Sequence, residues 1–187
     1  MKNYKIVVMM VLIMFLSACV SQTKRKANVY THQEYNKMTV CIGMADTAKY
    51  VASRKLGGVT KAKMKGFYKS KPNSQLNLAT VDKVYSEKFK STWDYTVGFF
   101  NECAQNLASV PPARVKFASY CSQNSLIADV AYGYKSSGKA KDKAYAHFVK
   151  LKGKTPNSII DSVYASSKNR SAIKLDVWNN CMAKISD

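Results

Sequence analysis

The sequence predicts an all-α protein made of two tandem copies of one helical unit, each of about four helices. Three observations carry that expectation. Apolar residues recur at spacings of three and four, while strand signals are weak, with no clean alternation and no Asn-Gly or Asp-Gly hairpin turn. A frame of marker residues occurs twice along the chain. Glycine and proline breaks then divide each copy into pieces of helical length.

The frame is specific. Cys41, Gly58, Tyr85 and Cys103 are matched in order by Cys121, Gly138, Tyr164 and Cys181. The cysteines of each pair lie 62 and 60 residues apart, and the first cysteine precedes its glycine by 17 in both copies. Local words match as well. Val81-Asp82-Lys83-Val84-Tyr85 faces Ile160-Asp161-Ser162-Val163-Tyr164, and Phe100-Asn101-Glu102-Cys103 faces Trp178-Asn179-Asn180-Cys181.

In the first copy, Cys41, Ala45, Ala48 and Ala52 form a narrow stripe of small residues suited to close helix contact. Gly57-Gly58 ends that helix, as glycine past a C-terminus does. A basic segment follows from Thr60 to Lys71, closed by Pro72-Asn73-Ser74. Leu76 to Phe89 is a third helix with Leu78, Val81, Val84 and Tyr85 on one stripe. Ser91 caps the fourth, with Asp94 in its first turn and Trp93, Val97, Phe100, Cys103 and Leu107 along its face. The second copy predicts helices over Cys121–Ser136, Lys139–Lys152, Asn157–Ser166 and Ser171–Ile185, broken at Gly138 and Thr155-Pro156. Between the copies, Pro111-Pro112 marks a linker over residues 107–120. The units are therefore expected over residues 31–106 and 121–187.

The N-terminus is of another kind. Lys2 and Lys5 precede an uncharged apolar run from Ile6 to Phe15, ten residues long. A membrane-spanning helix needs about twenty, so the run reads as a cleaved secretion signal. Leu16-Ser17-Ala18-Cys19 directly behind it resembles the lipobox of bacterial lipoproteins. That resemblance implies that residues 1–18 are removed as signal peptide and that Cys19 becomes the acylated, palmitate-bearing first residue. Residues 19–30 then form a lipidated tether. Lys24, Arg25 and Lys26 within it suit anionic headgroups, at about 1 kcal/mol each near a charged surface. Val20 rather than Asp follows the cysteine, which by the family's sorting rule implies the outer membrane; the folded part is expected at the periplasmic face, with exposure at the cell surface as the alternative.

Of five cysteines, Cys19 is taken by lipid and four remain in a chain exported to an oxidising compartment, so two disulfides are expected. Four cysteines allow three connectivities. In an up-and-down unit the start of the first helix and the end of the fourth share one end. That geometry selects Cys41–Cys103 and Cys121–Cys181.

Removing Lys2 and Lys5 with the signal leaves 28 Lys and Arg against 11 Asp and Glu. A chain so basic suits polyanions. Only four of its cations are Arg, however, and bidentate phosphate recognition favours Arg, so the excess reads as a general field. The lysines concentrate in equivalent segments. Lys61, Lys63, Lys65, Lys69 and Lys71 surround Phe67 and Tyr68; Lys139, Lys141, Lys143, Lys150, Lys152 and Lys154 surround Tyr145, His147 and Phe148. Such interleaving suits a nucleic-acid backbone with stacked bases, or an anionic lipid surface. It suits still better an amphipathic helix with buried aromatics and solvated lysines.

No catalytic constellation emerges. His32 and His147 have no counterpart in the opposite copy and no carboxylate or cysteine at ligand spacing, so neither a metal nor a cofactor is expected. The recurring Asp82 and Asp161 read as surface charges or local partners of lysine, and Tyr85 and Tyr164 as core anchors with a hydroxyl at the rim. The Cys, Gly, Val-Tyr and aromatic-x-x-Cys frame also resembles small secreted helical proteins of Gram-negative bacteria, a resemblance that implies no activity. The expected function is that of a non-enzymatic outer-membrane lipoprotein, an accessory or assembly subunit bound to another envelope protein. The alternative is a basic module that binds peptidoglycan, lipopolysaccharide, anionic lipid or DNA through the two lysine segments.

Overall fold

The computed structural model describes residues 29–151 and 155–186, and among these it contains eight helices and no strand. The first four are α1 (His32–Leu56), α2 (Lys61–Tyr68), α3 (Ser74–Ser86) and α4 (Thr92–Asn106). The last four are α5 (Pro112–Ser136), α6 (Lys141–His147), α7 (Thr155–Ala165) and α8 (Arg170–Ser186). The all-α class is thus observed. Residues 1–18, expected as a signal peptide, the expected lipidation site Cys19 and most of the expected tether lie outside the described residues.

Residues 29 and 30, expected as the end of a tether, belong to the folded part, with Val29 packed against its core. Tyr30 is buried, donates its hydroxyl to the Arg114 carbonyl at 2.5 Å and accepts from the Ala118 amide at 3.1 Å. A tyrosine ring gains more from that pocket than from solvent. Thr31 then starts α1 through a reciprocal capping box with Glu34, whose carboxylate also meets Arg114 of α5 at 2.6 Å. The stripe of Cys41, Ala45, Ala48 and Ala52 is wholly buried, as its spacing predicts. On α4 the buried face is rotated from the expected one: Thr96, Phe99, Phe100 and Ala104 are inside while Leu107 is exposed.

The expected linker over 107–120 is corrected. Helix α5 already begins at Pro112, so nine of those residues are helical. Proline at the first helical position gives up an amide hydrogen that has no intrahelical acceptor there, and its fixed φ suits the helix. The Arg114 and Val115 amides both donate to the Pro111 carbonyl, at 2.9 and 3.1 Å. The helix expected over Lys139–Lys152 is also too long; α6 stops at His147.

Helix α1 packs on α3 and α4, and α5 packs on α7 and α8. Cys41 is joined to Cys103 and Cys121 to Cys181, which tie α1 to α4 and α5 to α8. The first cysteine of each pair sits deeper than expected, nine residues inside its helix rather than at its start. Sequence left open whether the two sets of helices pack together, and they do. Trp178 of α8 is fully buried in one apolar cluster with Met38, Phe100 and Val115. Its ring meets Phe100 edge-on at 5.8 Å, and its Nε1 donates to Thr39 Oγ1 at 3.1 Å.

Candidate functional site

The lysine segments are placed by the two short helices. On α2, Met64 and Tyr68 face inward, so every lysine of the helix is driven outward. Lys61 and Lys65 converge on Asp82 Oδ1 of α3, at 2.7 and 2.8 Å. Their hydrogen bonds hold the Asp82 carboxyl below the usual range. On α6, Ala144 is buried and Phe148 just beyond it is buried too. Lys141 meets Asp161 Oδ1 of α7 at 2.7 Å, and Tyr145 donates its hydroxyl to the same oxygen. That carboxylate pushes the Lys141 amine up to about 12 and is itself held low.

The recurring aspartates are therefore local partners of lysine. Lys71 lies over the Phe67 ring at 5.1 Å, and Lys139 over Tyr134 at 5.1 Å. Lys63, Lys69, Lys143 and Lys150 are exposed, whereas Lys152 and Lys154 lie outside the described residues. Of the interleaved aromatics, Tyr68 and Phe148 are core residues and Phe67 is exposed.

Tyr85 donates its hydroxyl to the Val59 carbonyl, and Tyr164 to the Lys139 carbonyl at 2.8 Å. Each acceptor directly follows a glycine with positive φ, Gly58 at +81° and Gly138 at +68°. Sequence reading missed Lys55 and Lys135, whose ammonium groups bond the carbonyls that end α3 and α7. Lys55 reaches Val84 and Glu87 at 2.8 and 2.6 Å, and Lys135 reaches Val163 at 3.1 Å and also Ser166. A cation there complements the negative helix terminus. The signal was present: each lysine stands 14 residues after the first cysteine of its pair.

A second constellation was also missed. Asp129 of α5 is 1% exposed and meets three cations. Arg170 gives it a fork, Nε to Oδ1 at 2.6 Å and Nη2 to Oδ2 at 2.8 Å. Lys49 of α1 pairs with Oδ2, and Lys174 lies 3.6 Å from Oδ1 while contacting Asp46. Burial alone would raise the Asp129 carboxyl, but Arg170 and Lys49 overcome it and hold it below the usual range. Lys174 is itself buried, and that burial lowers its amine to about 8. Beside this cluster lies a cavity of about 380 Å³, lined by Asp46, Tyr50, Tyr68, Arg170, Ser171 and Lys174 among others.

Two further hollows flank the disulfides. One of about 220 Å³ beside Cys103 is apolar, with Met44, Leu76, Phe99 and Leu107 in its wall. The other, of about 430 Å³ beside Cys181, carries Asn124, Thr155, Ser158, Ser162 and Asn180. His147 Nδ1 stands 3.2 Å from the Tyr134 hydroxyl, and no group of three metal-ligating side chains occurs among the described residues. None of the described helices is long and apolar enough to cross a membrane. Comparison of the chain with protein-family models, with curated proteins and with solved structures gives no match.

Proposed function

We propose that this protein is a non-enzymatic lipoprotein of the outer membrane that serves as an accessory or assembly subunit of an envelope complex. In this reading residues 1–18 are the signal peptide, Cys19 carries the lipid, and residues 31–106 and 121–187 are two copies of one unit. Like positions with like tasks support the duplication. Lys55 and Lys135 each cap a helix, Tyr85 and Tyr164 each bond the residue after a left-handed glycine, and Asp82 and Asp161 each bind a lysine of the preceding short helix.

The observation that carries the binding role is the apolar hollow beside Cys103. Leu76 and Leu107 are exposed at its edge, and Lys83 and Glu102, paired at 2.9 Å, give it a charged border. Apolar centre and polar rim are the anatomy of a protein-binding surface. The test is a photo-crosslinking residue placed in living cells at Leu76, at Leu107 and, as a remote control, at Lys150. One envelope protein captured from the first two positions and not the third is expected, in a membrane fraction that Cys19→Ala abolishes. Recovery of the chain alone from all three positions would end the subunit reading.

The polyanion reading keeps one supporting observation, the exposure of Lys63, Lys69, Lys143 and Lys150. It is the weaker reading because Lys61, Lys65 and Lys141 are already paired with carboxylates. Under it, binding to peptidoglycan, lipopolysaccharide or DNA falls steeply with added salt.

A further inference from the structure

The two-copy reading, on which this inference rests, puts the chain in register with itself. Cys41 answers Cys121, Cys103 answers Cys181, and Ser91 and Asn169 both cap their helices by accepting the amide three residues on. The sets of helices meet through like positions. Phe100 and Trp178 each stand three residues before a cysteine and touch; Lys49 and Asp129 each stand eight after one and pair. Contact of like with like is what a two-fold arrangement produces. A pair of positions that meets on one side of that junction therefore has an equivalent pair on the other.

One such contact exists in two forms. On one side Trp93 of α4 packs against Phe148 at 6.0 Å, within the apolar cluster of α5 to α8. On the other side Ser171 stands where Trp93 stands, Tyr68 where Phe148 stands, and the cavity of about 380 Å³ lies between. The surroundings differ in the same sense. Leu126, Ile127 and Val130 on the closed side become Asp46, Thr47 and Tyr50 on the open one. Thr92 and Thr96 become Arg170 and Lys174. A hollow left by the bare loss of an indole keeps an apolar lining. This one has exchanged its lining for charged, hydroxyl and phenol groups.

The exchange defines a chemistry. Lys49, Arg170 and Lys174 face Asp46 and Asp129, which leaves one positive charge in excess. The Arg170 fork uses Nε and Nη2 on Asp129, and Nη1 is outside that pair. The aromatic wall is continuous, with Tyr50 and Phe67 rings 5.8 Å apart and Phe67 and Tyr68 rings 5.0 Å apart. Arg54 over Tyr50 and Lys71 over Phe67 add cations at the outer edge. We infer that this cavity binds a small ring-bearing carboxylate, with its ring against Tyr50 and Phe67 and its carboxylate beside Arg170 and Lys174. A monoanion balances the cluster, and the aromatic wall takes the flat or pyranose face of the ring.

The test uses the full-length protein in detergent and ligand-observed saturation-transfer NMR. The probes are benzoate and glucuronate, compared with the uncharged benzyl alcohol and glucose. Saturable binding of at least one carboxylate is expected, with its uncharged counterpart weaker by about tenfold or more. Benzoate alone would assign an aromatic acid, glucuronate alone an acidic sugar. Ser171→Trp, which installs the residue of the closed side, should abolish binding and leave the fold intact. Tyr50→Val, the closed side's residue at an exposed position, should weaken binding even if the tryptophan variant fails to fold. No binding of either carboxylate at millimolar concentration, equal binding of the uncharged compounds, or full binding by the Tyr50→Val variant would overturn the assignment. Binding that is lost in both variants while Ser171→Trp is strongly destabilised would keep the site and remove the two-copy argument for it.

Discussion

Asp129 holds a charge almost out of water, and its sequence neighbours hide the fact. Leu126, Ile127, Ala128, Val130 and Ala131 surround it, an apolar run that goes all the way round the helix and draws attention away from the one charge within it. Its partners lie far off, Lys49 80 residues before it and Arg170 41 after, so no local pattern announces them. Arg170 is 60% exposed, Lys49 is 23% exposed and Lys174 keeps Asp46, so removing the carboxylate costs less than breaking a fully buried pair, about 1–3 kcal/mol. Asp129→Asn is expected to lose that much in denaturant unfolding. The sign of its pH dependence follows from the lowered carboxyl. Stability from this group is fully present above the unfolded value near 3.9 and drains away as pH falls through the lower folded value. Unfolding midpoints measured between pH 7 and pH 2 should drop below about pH 4 in the natural chain. The acid slope should be shallower in Asp129→Asn.

At the scale of the element, the local signals were legible wherever a single residue type has a single reason to be there. Ser91 caps α4 as expected, by accepting the Asp94 amide at 3.1 Å. Gly58 and Gly138 end α1 and α5 in the left-handed region, which a Cβ disfavours by about 1–2 kcal/mol. Gly43 is different: it lies inside α1, is exposed, and a Cβ there meets nothing within 4 Å. Gly58→Ala should therefore destabilise by about 1–2 kcal/mol, whereas Gly43→Ala should stabilise by up to about 1 kcal/mol. Thermal unfolding of the two variants side by side decides it; destabilisation of both would contradict the helix-interior account. The proline pair was misread because proline has two opposite uses, breaking a helix within and starting one at its first turn. Which use applies depends on what α5 packs against, here Tyr30 at Ala118 and Glu34 at Arg114.

For the whole molecule, two covalent ties and one shared core act together. Each disulfide closes a loop of about sixty residues, worth about 4 kcal/mol by chain entropy. Replacing Cys41 and Cys103 together by Ala should cost about that much. Trp178→Ala should cost about 3–5 kcal/mol, because the indole fills the junction between the two sets of helices. Peptide mapping of unreduced protein should yield Cys41–Cys103 and Cys121–Cys181; a Cys103–Cys121 peptide would refute the arrangement. The helical class, the helix ends at glycine and at the Ser91 cap, and the pairing of the cysteines were all legible along the chain. Each of these follows from local chemistry or from order along the chain. That Trp178 closes the core, that Asp129 gathers three cations, and that Ser171 leaves open a hollow lined by Arg170 and Lys174 emerges only once the chain is folded. Those depend on residues distant in sequence meeting at one junction, and neither periodicity nor spacing encodes which faces meet.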